Sequence, residues 1–175
     1  MEPMTANQEF SATKPRLGRY DIDPDGPSVA FRTRHLFGLA PVRGTFRIRA
    51  GSVDVTEPLA VSRIRVEIDA ASFRTGNPAR DGSVRSARFL DAGRHPVMVF
   101  VAEKMEGDAL DGALTVCGTT RPVRLPAEVS VLADGSFTAR GAVRIDRTEF
   151  GITASPGLAG RYLDVTAEVR CVRRG

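Results

Sequence analysis

Apolar residues recur at every second position over most of this chain. Leu110, Gly112, Leu114 and Val116 alternate with Asp111, Ala113 and Thr115. After Cys117-Gly118-Thr119-Thr120 the rhythm resumes with Val123, Leu125, Ala127, Val129 and Val131. A period of two gives a strand one apolar and one polar face, so the stretch predicts a hairpin. Pro122 has no amide donor, which places it at the start or on an edge of the second strand.

The same period predicts further strands. Arg19–Asp23 is a short one, stopped by Pro24-Asp25-Gly26-Pro27. In Ser28–His35, Val29, Phe31, Thr33 and His35 share a face; Leu36 to Leu39 then reads as a single turn. A strand from Pro41 turns Val42, Gly44, Phe46 and Ile48 inward, and Gly51–Pro58 reads as a turn region holding a short strand, Val53–Val55. Ala60–Asp69, Val97–Glu103, Phe137–Ile145 and Leu163–Val172 complete the set. Val97–Val101 is apolar in both phases, so its two faces should be covered, one by the interior and one by a helix. Between Ala71 and Pro96 the alternation stops. Asn77 can cap a helix with Pro78 at its first position, about three turns at most, with Val84, Ala87 and Phe89 on its inner side.

Eight or nine strands with hairpin-length connections and one helical insertion predict an all-β antiparallel barrel or sandwich over residues 18–175. Residues 1–17 lack periodicity and are read as a flexible tail. A barrel of about eight strands is either just filled by side chains or holds one small or slender ligand. Gly44, Ala127, Ala139, Gly141 and Ala167 on the inward phase predict unfilled space. Close packing against the helix or a bent strand stays open as the alternative.

Charge and chemistry narrow the function classes. The net charge of +4 comes from arginine, since Lys14 and Lys104 are the only lysines. The arginines stand singly on the polar phase, as a solvated exterior would, and no specific nucleic-acid partner is expected. No run reaches the roughly 18 apolar residues of a membrane-spanning helix. The polar N-terminus has no secretory h-region, and with Met1 it predicts a cytoplasmic protein. Cys117 and Cys171 are read as reduced, unpaired thiols, and neither metal-ligand spacing nor a cofactor motif is present. His35 and His95 are the only histidines and accompany no nucleophile motif, so no catalytic residue is assigned. Asp81 and Asp91 read as helix-end residues. For Asp146-Arg147 two readings stand: a structural ion pair at a strand end, or an acid and an arginine directed at a phosphate.

Several elements in order resemble one family. Tyr20-Asp21-Ile22-Asp23-Pro24, Ser28-Val29-Ala30-Phe31, His35-Leu36 and Val42-Arg43-Gly44-Thr45-Phe46 look like its opening. Arg80-Asp81, Phe89-Leu90-Asp91, His95-Pro96 and Phe100 follow. Leu114 to Val123 matches its L-T-(I/V)-x-G-x-T-(K/R)-P-V element, and Ile145 to Ile152 its I-D-R-(S/T)-x-F-G-(I/L) element. Together they resemble the YceI-like, lipocalin-type, polyisoprenoid-binding family. One departure is Gly82-Ser83-Val84, where the family usually reads x-H-L.

The resemblance implies an extended eight-stranded antiparallel barrel with a helix near its opening, enclosing a channel for a long isoprenoid or similar lipid. A carrier, storage or buffering role follows as the expectation. Phe31, Phe46, Ile64, Val66, Phe89, Phe100, Leu114, Phe137 and Val143 are the expected walls, Gly44 and Gly141 the expected groove. His35, at a strand end, is placed near a headgroup. The competing expectations are a barrel filled by its own side chains that serves in interaction or stress response, and an enzyme acting on an isoprenoid. A homodimer is left open.

Overall fold

β3 (Ala40–Val55) is the strand on which the sheet closes. One of its edges pairs with β4 (Arg63–Arg74). The other pairs first with β2 (Val29–His35) and then with β1 (Gly18–Ile22). Both β1 and β2 pair in turn with β9 (Tyr162–Arg173), so they share one position in the wall. The remaining strands follow as antiparallel neighbours: β5 (Val97–Glu106), β6 (Ala109–Val116), β7 (Thr119–Val131) and β8 (Phe137–Asp146). Nine strands thus make a closed antiparallel barrel of eight positions, which decides between the barrel and the sandwich that the alternation leaves open and agrees with what the resemblance implies. This computed structural model describes residues 14–35 and 38–174. Most of the expected tail, and Leu36-Phe37 of the expected turn, lie outside the described residues.

Two strands run further than the sequence indicated, for one reason. Gly51–Pro58 is not a turn region; β3 continues for 16 residues to Val55. Its buried phase moves from Val42, Phe46 and Ile48 to Val53 and Val55. The shift follows register slips at Thr45/Arg47 and Ile48/Ala50. A bulge inserts one residue and reverses the inward phase, which along the sequence looks like an interruption. β4 likewise extends to Arg74, with Val66, Ala70 and Phe73 buried out of strict alternation.

The helix α1 (Pro78–Arg85) forms where its cap predicts, with the Asn77 side chain accepting from the Arg80 amide at 3.1 Å. Its eight residues make about two turns, within the expected limit of three. Val84 packs on the core, but Ala87 is exposed, and Leu90 and Ala92 beyond the helix end take the buried positions. α1 packs on β4, while the short 3₁₀ turn Leu59–Val61 lies against β5; the helix does not cover β5 as expected.

The central hairpin turns on Cys117 (φ 50°) and Gly118 (φ 73°). Positive φ at both positions makes a two-residue turn whose twist suits the flanking strands. β7 therefore starts at Thr119, and Pro122 lies inside it, opposite Ala113. The Ala127 amide donates to Asp108 O at 2.8 Å, on the β6 side. By alternation, residues 122, 124 and 126 face the other edge. Pro122 and Pro126 thus turn their missing donors away from β6, as edge prolines do.

Candidate ligand cavity

Inside the barrel the inward phase separates into plugs and a void. Tyr20 and Phe137 meet edge to face at 4.8 Å and, with buried Cys171, fill the end near the β7–β8 turn. Under β2, β3 and β4, Phe31 stacks on Phe73 at 5.2 Å, and Phe46 touches both at 5.5 Å. Between these clusters lies a cavity of about 200 Å³. Apart from Arg140 and Arg147 its wall is entirely apolar.

Seven of the twelve expected ligand-site residues line this cavity: Phe46, Ile64, Val66, Phe100, Leu114, Gly141 and Val143. The other five stand elsewhere. Phe31 and Phe137 belong to the plugs, because the inward phase says a residue is inside but not whether space remains beside it. Gly44 opens no groove: an added Cβ would lie 2.3 Å from Phe31 Cζ, its cross-strand partner. Phe89 lies outside the cavity wall with the Arg147 guanidinium over its ring at 5.7 Å. His35 ends β2, half-buried and off the wall. Wall residues outside the expected set include Leu90, Met98, Phe150 and Ile152. Met98 shares the phase of Phe100, but alternation did not single it out because β5 is apolar in both phases. Leu90, Phe150 and Ile152 lie outside strands and reach the interior through chain reversals that carry no periodic signal.

Arg147 answers the question left open by Asp146-Arg147. It is buried, yet its guanidinium donates to three carbonyls: Gly160 at 2.8 Å, Ile152 at 2.9 Å and Ala159 at 3.3 Å. Burial lowers its pKa, partly offset by the charge of Asp146. The two residues do not form an ion pair with each other. Asp146 instead pairs with Arg161 at 3.0 Å and caps the turn Arg147–Phe150 by accepting from Thr148 N. Hydrogen bonds from Arg161 and then Thr148 hold its carboxyl down at about 2. The pair therefore fastens the β8–β9 connection over the cavity, with the arginine's donors turned to backbone.

Among the described residues the other titratable groups form no acid–base set. Asp81 is buried in the first turn of α1; burial raises its pKa, but hydrogen bonds from Thr75 and the charges of Arg85 and Arg80 leave it lowered. Asp91 forms a 3.8 Å ion pair with Arg94. Both cysteines are free; Cys117 Sγ donates to Leu90 O at 2.9 Å, and burial pushes the Cys171 thiol up to about 12. Among the described residues no cluster of His, Cys, Asp and Glu could hold a metal ion, and no helix is long and apolar enough to cross a membrane.

The chain is 32% identical to protein YceI of Escherichia coli over 97% of its own length and 94% of the relative's. Its fold matches BcnA of Burkholderia cenocepacia, with a TM-score of 0.75 and 21% identity over 85% of this chain and 98% of that one. It also matches a polyisoprenoid-binding domain from Saccharophagus degradans, with a TM-score of 0.69 and 14% identity over 91% of this chain and all of that one. A model of the YceI-like domain matches residues 20–171, and with the barrel, its helical insertion and these relatives it establishes that the chain belongs to the YceI-like family.

Proposed function

We propose that this protein binds an apolar chain, of the isoprenoid type, inside its barrel and acts as a carrier or buffer for it. The observation that carries the reading is the cavity wall, apolar at every position except Arg140 and Arg147, and Arg147 spends its donors on carbonyls. Such a surface offers a flexible hydrocarbon dispersion contact and asks for no hydrogen bond in return. The Saccharophagus domain, described as polyisoprenoid-binding, supports the choice of ligand class. The space of about 200 Å³ is smaller than the roughly 300–1,000 Å³ of drug-sized pockets. It suits one slender chain, held over part of its length.

The test is organic extraction of the purified protein followed by mass spectrometry, with titration of a fluorescent farnesyl chain. A co-purifying lipid or saturable uptake is expected. An empty protein that takes up no probe favours the second reading, a barrel serving in interaction or stress response. The plugs around Phe31 and Phe137 are the observation behind that alternative.

A further inference from the structure

We propose that the apolar chain enters and leaves sideways, through a slot in the wall between β7 and β8. The inference rests on the carrier reading above and adds where the barrel opens.

The slot begins where one ladder stops. β7 and β8 pair from Val131↔Phe137 to Ala127↔Gly141 and no further, although both strands continue. Thr119–Pro126 is paired only with β6, and Ala142–Asp146 only with β9. The cause is in the sequence. Residues 122, 124 and 126 direct their backbone groups at β8, so the next rung would need a donor from residue 126, and a later one from residue 122. Both are proline, and two of three successive rungs lack an N–H. At the far end, Arg121 Nε donates to Glu149 O at 2.9 Å and ties β7 to the turn after β8. The window between that bond and Ala127↔Gly141 spans six residues, about 20 Å at strand rise.

The window lies over the cavity, because the residues that flank it, Val123 and Leu125 of β7 and Val143 and Ile145 of β8, all line the interior space. All four are half-buried.

A strand from another chain is a poor occupant for this edge, because the same prolines deny it donors. A hydrocarbon chain needs none. The plugs at Tyr20–Phe137 and Phe31–Phe73 obstruct passage past those residues, and a chain longer than the cavity has to project somewhere.

The test bridges the slot. Extending the register places residue 124 opposite residue 144, both exposed arginines. The double variant Arg124→Cys/Arg144→Cys, in a Cys117→Asn background, is joined with a short bis-maleimide. Its reference is Ser130→Cys/Thr138→Cys, paired below the slot, with the same bridge. Uptake of anthraniloyl-labelled farnesol is followed by stopped flow. The slot bridge should slow uptake at least fivefold against its own unbridged form, while the reference bridge should not. A smaller effect, or equal slowing by both bridges, overturns the lateral route while leaving the carrier reading intact if the parent binds. A parent that takes up no probe overturns both. Should the double variant fold poorly, Ala142→Cys capped with a bulky maleimide replaces it, with the same fivefold criterion.

Discussion

The ring of Phe31 occupies the space that a side chain at residue 44 would fill. The two residues are direct cross-strand partners, and an added Cβ at Gly44 would stand 2.3 Å from Phe31 Cζ and 2.6 Å from Arg74 O. Gly112, whose direct partner is Ala102, makes room for Phe100 diagonally: an added Cβ there would lie 2.7 Å from Phe100 Cζ. These glycines let aromatic rings lie flat over the neighbouring backbone. Gly44→Ala is therefore expected to cost about 1–3 kcal/mol by overpacking. Because neither partner lines the cavity, the affinity for an apolar probe should stay unchanged. Melting temperature and probe titration on the same sample check both parts.

Gly141 differs, since it does line the cavity. A Cβ there would meet Leu125 Cδ1 at 2.9 Å and Pro126 O at 3.0 Å. Gly141→Leu should lower the melting temperature and also reduce probe uptake, because the new side chain takes space beside Leu125, another wall residue. Uptake equal to that of the parent, measured by titration, would contradict this placement.

Arg147→Lys tests the clamp on the β8–β9 connection. A lysine keeps the charge but not the planar fork that reaches the carbonyls of Ile152, Ala159 and Gly160. Leaving the buried Ile152 carbonyl and the two part-buried ones unsatisfied should cost about 1–3 kcal/mol. Urea unfolding measures it. A variant as stable as the parent would show that the charge alone suffices.

Asp146 gives a pH dependence of defined sign. Its carboxyl sits at about 2, below the ordinary 3.8, through hydrogen bonds from Arg161 and Thr148. A lowered folded-state pKa stabilises at pH above the unfolded value, and the contribution is lost as pH falls through the folded one. Asp146→Asn should accordingly be less stable than the parent at pH 6. The gap should narrow between pH about 4 and pH about 2. Thermal unfolding of both proteins across that range decides it.

The two thiols should differ in reactivity. Burial and then the nearby charge of Asp91 raise the Cys117 pKa, while burial alone pushes Cys171 up to about 12. Thiolate is the reactive form. Iodoacetamide at pH 8 should label half-buried Cys117 slowly and Cys171 only after unfolding. Mass spectrometry of native and denatured samples reads the difference.

The sequence by itself determined an antiparallel all-β fold, while the closing of its sheet into a barrel is decided by the pairings of β3 with β4 and of β1 with β9. Period-two alternation in Val29–His35, Leu110–Val116 and Phe137–Ile145 reports which face of a strand is buried, and that is a local property of the chain. The Asn77-Pro78 helix start and the Cys117-Gly118 turn were legible for the same reason, since caps and turns are made by neighbours in sequence. Phase reversals in β3 and β4 misled, because a bulge and a turn interrupt the period alike until the partner strand is seen.

Only the tertiary structure decided what the inward residues do. Phe31 and Phe46 share a phase relationship to the barrel, but the first is wedged over Gly44 and the second faces the void. Packing between strands distant in sequence settles that difference, and no pattern along one strand contains it. Pro122 and Pro126 make the same point from the other side. Each visibly lacks a donor in the sequence, yet that the missing donors fall on two of three successive rungs facing β8 follows only from the register with β6. Local chemistry sets which groups can pair; the closing of the barrel sets where the failure to pair opens its wall.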